Sequence, residues 1–106
     1  MSEQISFEEL ANHFAGNDTV AEAKWFGKRC MSINGKAFAV LFGEDVAFKL
    51  TPEDLAEALD IPGAKLFDPR GKGNPFKEWV QIPVNESDKW IMYSEKAMTY
   101  VDSFKK

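Results

Sequence analysis

Residues 25–50 read WFGKRCMSINGKAFAVLFGEDVAFKL, and apolar segments alternate in them with short turn sequences. Asn34-Gly35 is a strong hairpin signal, because both residue types tolerate the positive φ that a type I′ turn requires. Gly43, Glu44 and Asp45 mark a second turn. The apolar segments between these turns predict three β-strands, over residues 25–33, 36–42 and 46–50.

The lengths of the two turns set the expected register of these strands. A two-residue turn at 34–35 places Cys30 opposite Ala39, and a three-residue turn at 43–45 places Val40 opposite Phe48. This register is favoured because it collects the bulky residues of the second and third strands on one face. The other face is then a shallow surface made of Lys28, Cys30, Ser32, Ala37, Ala39, Leu41, Ala47 and Lys49.

Arg29 conflicts with this register, because it falls opposite Val40 on the core face. Either its charged end reaches the rim of the core, or the register contains a local bulge.

Helices are predicted on both sides of the strands. Ser6 and Glu9 have the spacing of a capping box, which predicts a helix over residues 6–15. Thr51-Pro52 predicts the start of a second helix, which ends at residues 61–63. The remaining predicted elements are a short helical turn at 19–23, strands over 64–68 and 78–82, and a last helix from about 85 or 87 to 104.

This order predicts an α+β, two-layer domain with the sequence of elements α-β-β-β-α-β-β-α. Its five-stranded, mostly antiparallel sheet is expected to carry the helices on one face. The 106 residues are expected to form a single domain, since this length suits one hydrophobic core.

Composition limits the class of protein. Apolar residues make up 44% of the chain and charged residues 28%, which is typical of a folded domain and not of a disordered segment. The net charge of −4 argues against nucleic acid as a partner. The chain shows no export signal or apolar membrane segment and has a single cysteine, so we expect a reduced, cytoplasmic protein.

The shallow sheet face is the first candidate site. Cys30, Ala39, Leu41 and Lys49 are expected to form an open surface for self-association, a protein partner or a ligand. Nearby cations would lower the pKa of the Cys30 thiol and make it reactive, whereas a buried thiol would be inert.

The loop over residues 68–77 is the second candidate site. Arg70, Lys72 and Lys77 supply three positive charges, and Gly71 and Gly73 allow backbone N–H groups to approach an anion. This loop is interpreted either as an anion or partner contact or as an ordinary solvated loop. It lacks the spacing of a nucleotide-binding P-loop.

Catalytic and metal-binding patterns are not found in the sequence. His13 is the single histidine and there is no second cysteine, so the usual zinc ligand sets and nucleophile–histidine pairs are not predicted. The acidic residues lie in the first turns of helices, where capping explains them. We therefore predict no catalytic residues, no metal and no cofactor.

Several motifs together resemble the TfoX N-terminal-domain family. They are Lys24-Trp25-Phe26-Gly27, residues 33–39 (INGKAFA), residues 46–50 (VAFKL), Phe67-Asp68-Pro69 and residues 76–83 (FKEWVQIP), followed by a helix that contains tryptophan. The resemblance covers residues 7 to 104, with Trp25 where the family usually has methionine. It implies the α+β fold given above and a bacterial, cytoplasmic origin. It also implies a stand-alone domain that lacks the family's second, C-terminal domain.

Two functions are expected from these observations. The first is a non-enzymatic regulatory or protein-interaction module that uses the open sheet face. The second is a small-molecule or anion binder, or an enzyme, that uses the loop over residues 69–77.

Overall fold

The structure is a computed structural model, and it describes residues 5–25, 27–68, 73, 76 and 78–103. Within these residues, six strands form one antiparallel sheet in the order β1-β2-β3-β4-β6-β5. The elements in chain order are α1 (Phe7–His13), β1 (Val20–Trp25), β2 (Lys28–Ile33), β3 (Lys36–Phe42), β4 (Asp45–Lys49), α2 (Pro52–Leu59), β5 (Lys65–Leu66), β6 (Trp79–Ile82), a 3₁₀ helix (Val84–Lys89) and α3 (Trp90–Asp102). The predicted α+β class is confirmed.

The local signals at the helix starts and at the first hairpin are confirmed. Ser6 and Glu9 form both hydrogen bonds of the capping box that opens α1. The Thr51 hydroxyl accepts from the N–H of Asp54 at the start of α2. Asn34 and Gly35 have φ values of 52° and 82°, as a type I′ turn requires.

One strand was missed. The prediction of a helical turn at 19–23 is wrong, because residues 20–25 form β1, which pairs with β2 along its whole length. The strand predicted over residues 25–33 is accordingly divided near Gly27, whose φ is 75°. The sheet has six described strands instead of the five expected.

The predicted register is wrong in two places. Ser32 pairs with Ala37, but Met31 pairs with Ala39, so Phe38 is an additional residue that forms a bulge in β3. The turn between β3 and β4 has two residues instead of three, and Val40 therefore pairs with Ala47. Ala39 is consequently buried in the main core, and Val40 takes a place on the other face of the sheet.

Arg29 lies at the rim of the main core. Its guanidinium lies 5.1 Å from the centre of the Phe7 ring and forms ion pairs with Glu22 and Glu8. These carboxylates raise the pKa of Arg29 further above its ordinary range, because each accepts a hydrogen bond from the guanidinium. Both explanations that we considered for Arg29 therefore apply. Its side chain reaches the rim of the main core, and the register between β2 and β3 contains a bulge.

The helices cover one face of the sheet, called here the helical face. Its core includes Leu10 of α1, Ala58 of α2, Trp90 of α3 and Phe48 of β4, each with no exposed surface. The opposite side of the sheet is called the second face. Among the described residues, no helix is long and apolar enough to cross a membrane.

We predict that ionisation of Tyr93, in α3, lowers the stability of the fold at high pH. Its burial, together with the hydrogen bond that its hydroxyl donates to Glu57, raises the pKa of Tyr93 from 10.0 to about 12. A raised pKa in the folded state stabilises the fold below pH 10, and this contribution is lost as the pH rises towards 12. We expect the free energy of unfolding to fall by about 2 kcal/mol over that interval because of Tyr93.

Urea unfolding at closely spaced pH values measures this loss. The variant Tyr93→Phe should have a shallower decline between pH 10 and 12. The hydrogen bond to Glu78 also raises the pKa of Tyr100, but this tyrosine is more exposed, so Tyr100→Phe should change the decline less than Tyr93→Phe does. An unchanged decline in Tyr93→Phe would show that Tyr93 does not cause it.

Candidate functional site

Aromatic side chains cover the middle of the second face. The shortest contact is between Trp25 and Trp79, whose ring centres are 4.9 Å apart with planes inclined by 34°. Cys30, Val40 and Ala47 are buried beneath these rings. We call the five rings in contact the aromatic cluster: Trp25, Phe42, Phe67, Phe76 and Trp79.

Backbone hydrogen bonds hold the aromatic cluster in place. The N–H of Phe67 donates to the carbonyl of Trp79 at 3.0 Å, and the N–H of Phe76 donates to the carbonyl of Phe67 at 2.8 Å. The carboxylate of Asp68 accepts from the N–H of Gly73 at 2.9 Å. These hydrogen bonds hold Phe67 and Phe76 over the sheet. The prediction of an open sheet face is therefore wrong for the middle of that face.

Beside the cluster lies a cavity of about 380 Å³. Trp25 and Trp79 line one side of it, and the short side chains of Ala23, Cys30 and Ala37 line the strands below. This volume is within the range of roughly 300–1,000 Å³ that is usual for small-molecule sites. The cavity thus combines an aromatic side with a floor of short side chains, over which a ligand can approach the sheet closely.

The described lining of this cavity contains Lys24, Lys36 and Lys49, and none of the described lining residues is acidic. Of these lysines, Lys49 lies on the same side of the sheet as Trp79, because the two residues pair directly. Glu78 lies next to it, with a carboxylate oxygen 3.4 Å from the ammonium of Lys49. The other oxygen of Glu78 accepts from the Tyr100 hydroxyl at 2.7 Å, so that α3 also holds this carboxylate.

The Cys30 thiol is an unreactive part of the cavity floor. Its side chain is 2% exposed. Burial raises the pKa of the Cys30 thiol, and the nearby carboxylate of Glu22 raises it further, while a hydrogen bond with the backbone of Ala23 opposes them. The effect of burial is the largest, so the structure does not support the cation-activated thiol that we considered from the sequence.

The structure brings together only some of the predicted site residues. Cys30 and Lys49 line the same cavity. Ala39 is on the helical face, and Leu41 also packs against the main core, because the shorter turn between β3 and β4 reverses their sides. The placement of Ala39 and Leu41 on the shallow face is therefore wrong. Arg70, Lys72 and Lys77 lie outside the described residues.

The cavity residues that the sequence analysis did not place at a site include Ala23, Trp25 and Trp79. Ala23 was placed in a helical turn. A usable signal exists in residues 20–25 (VAEAKW), where Ala21, Ala23 and Trp25 alternate with polar residues. That alternation is typical of a strand with one apolar face.

His13 does not line this cavity. Its ring nitrogen Nε2 lies 2.6 Å from a carboxylate oxygen of Glu95, which connects α1 to α3. In the part of the chain that the structure describes, no group of three or more His, Cys, Asp or Glu residues is placed to hold a metal ion.

Comparison with protein-family models, with curated proteins and with solved structures found no match to this chain. The chemistry of a ligand must therefore be inferred from the residues of the cavity.

Proposed function

We propose that this chain is a binding module for a small molecule, which occupies the cavity on the second face. The observation that carries the proposal is the combination of a 380 Å³ cavity with an indole side, a floor of short side chains and Lys49 on the same side of the sheet. Such a mixture of apolar surface and a few polar groups is typical of small-molecule sites.

Binding without chemical conversion is the form of the proposal that the cavity supports. Burial raises the pKa of the Cys30 thiol, and the Ser32 hydroxyl donates to the carbonyl of Ala21 at 3.1 Å. Neither is activated by a histidine or carboxylate among the described residues that line the cavity. The module is accordingly proposed to sense or carry its ligand.

The expected self-association through an open apolar sheet face receives less support. The aromatic cluster covers the middle of that face and buries Val40 and Ala47 completely. A regulatory role remains part of our proposal, in the form of a module that responds to a ligand. The resemblance to TfoX N-terminal domains, a bacterial origin and a cytoplasmic location are proposed from the sequence alone. Nucleic acid is not proposed as a partner, because the net charge is −4.

Filling the cavity tests the proposed function. Ala23 lines the cavity from β1, whereas Ala56 is an exposed alanine of α2 that is not among the described lining residues. We expect Ala23→Phe to weaken binding of any cavity ligand at least tenfold, because the ring occupies the space of the ligand. Ala56→Phe, which adds the same ring away from the lining, should change the affinity less than twofold.

The measurement is an amide-shift map of the isotopically labelled protein against a library of small aromatic, aliphatic, neutral and charged molecules. Ligands should shift the amides of Ala23, Cys30, Ala37 and Lys49 and the indole N–H of Trp79. Hits that Ala23→Phe and Ala56→Phe bind equally well would refute the proposed site.

A further inference from the structure

One lysine of the described lining projects onto the cavity's side of the sheet. Lys49 pairs with Trp79, whereas Lys24 pairs with Arg29 and Lys36 with Ile33 on the helical side. None of the described lining residues is a carboxylate. A positive group at a concave surface attracts anions, so the ligand is expected to carry negative charge.

Lys49 is the lysine that the fold positions most firmly. Its backbone lies in β4, opposite Trp79 of β6, and the next residue, Leu50, donates its N–H to the carbonyl of Glu78 at 2.9 Å. The Lys49 side chain is 26% exposed, and its ammonium lies 3.4 Å from Glu78. The ammonium is thus held beside Glu78, at the strand end where Lys49 pairs with Trp79.

Glu78 acts as an internal counter-ion for this lysine. Because Tyr100 donates to the same carboxylate at 2.7 Å, Glu78 is held from two sides. A ligand anion that reaches Lys49 must share the ammonium with Glu78 or replace it. This limits the charge that the site accepts, since each added negative group is repelled by the carboxylate.

The apolar part of the ligand is defined by the indole rings. The two rings stack on each other, with centres 4.9 Å apart and planes inclined by 34°. Trp79 is buried and Trp25 is half-buried, so a ligand in the cavity meets mainly the Trp25 ring. Flat π systems gain from offset stacking or edge contacts with such rings. The short side chains of Ala23 and Ala37 leave room for a planar group above the sheet.

We infer that the ligand is a small planar aromatic monoanion, with its ring against Trp25 and Trp79 and its anionic group at Lys49. This inference rests on the proposed function and specifies the chemical class that the same cavity takes. Lys49 is the residue that distinguishes the anion from a neutral molecule of the same shape. Glu78 weakens the attraction between Lys49 and the anionic group of the ligand.

The test uses 2-naphthoate and 2-naphthamide, which have the same ring system and nearly the same shape but differ in charge. Affinities are measured from amide shifts and by calorimetry at low salt. We expect 2-naphthoate to bind at least tenfold more tightly than 2-naphthamide. Lys49→Met should reduce this ratio to below twofold, whereas Glu78→Gln, which removes the competing charge, should increase it.

Lys65→Met is the matched control, because Lys65 pairs with Gln81 on the same sheet but does not line the cavity. It should leave the ratio unchanged. If Lys49→Met does not fold, the comparison of the two probes and the direction of the Glu78→Gln effect still decide the question.

Three outcomes would overturn the inference: equal affinity for both probes, a ratio that Lys49→Met leaves unchanged, or no binding of 2-naphthoate at millimolar concentration. The proposed function fails on different results, namely when no library member shifts the cavity amides or when Ala23→Phe leaves all binding intact. A cavity that binds 2-naphthamide as tightly as 2-naphthoate would therefore refute the inference and support the binding module.

Discussion

Replacing Trp90 with alanine is expected to lower the free energy of unfolding by about 4 kcal/mol. Trp90 is a fully buried side chain at the start of α3 and is the largest of this kind in the described core. Its removal leaves a cavity that the surrounding helices and strands can fill only in part. Its indole N–H also donates to the carbonyl of Ile82 at 3.2 Å, and that bond is lost with it.

Urea unfolding followed by far-UV circular dichroism measures this effect, since the tryptophan signal itself is changed by the substitution. Trp90→Phe is the matched control, because it keeps most of the buried ring and should cost only about 1–2 kcal/mol. A loss below 2 kcal/mol in Trp90→Ala would contradict the packing of α3 described here. If Trp90→Ala does not fold, the smaller loss in Trp90→Phe remains measurable.

Replacing Phe67 with alanine is expected to cost about 3–4 kcal/mol and to open the second face. Phe67 has no exposed surface, and its ring contacts Phe42, Phe76 and Trp79 at centre distances of 5.4, 5.9 and 6.2 Å. Without it, the other rings of the aromatic cluster lose a common partner. Trp79 and Phe76, which supports Trp25, are then less firmly held at the side of the cavity.

Two measurements separate the consequences of this substitution. Urea unfolding gives the loss of stability, and the fluorescence of an added hydrophobic dye reports newly exposed apolar surface, which should increase at least threefold. Phe67→Leu is the control that retains apolar volume and should cost about 1–1.5 kcal/mol. A loss below 1.5 kcal/mol in Phe67→Ala, with no added dye binding, would show that Phe67 does not support the second face.

Local sequence signals predicted the starts of α1 and α2 and the first hairpin because each depends on residues close in the chain. The capping box of Ser6 and Glu9 involves residues three positions apart. The turn at Asn34-Gly35 depends on the φ angles of two adjacent residues. Such interactions are determined by short-range geometry, which the sequence shows directly.

The register failed because the prediction assumed that only one face of the sheet is buried. Under that assumption Val40 and Phe42 belong with Phe38 on the helical face. In the structure the aromatic cluster covers the second face, so Val40 is fully buried there as well. Burial on both faces removes the alternation by which register is usually inferred.

The second face could not be assembled from the sequence for a related reason. Trp25 and Trp79 are separated by more than half of the chain, and they meet because β1 and β6 both project residues onto the same side of one sheet. Lys49, Glu78 and Tyr100 come from β4, the residue before β6 and α3. Their juxtaposition follows from strand order, which no local motif specifies.

The amino-acid sequence by itself determined the α+β class, the capped helix starts and the hairpin at Asn34-Gly35. It also identified Cys30 and Lys49 as candidate site residues. Only the tertiary structure decided that residues 20–25 are a strand, that Ala39 and Leu41 face the helices, and that two indoles and Lys49 share a cavity. The physical reason is the separation along the chain of the residues that interact. Caps and tight turns depend on neighbouring residues, whereas a one-residue difference in a turn or a bulge at Phe38 changes which side chains a whole strand presents to each face.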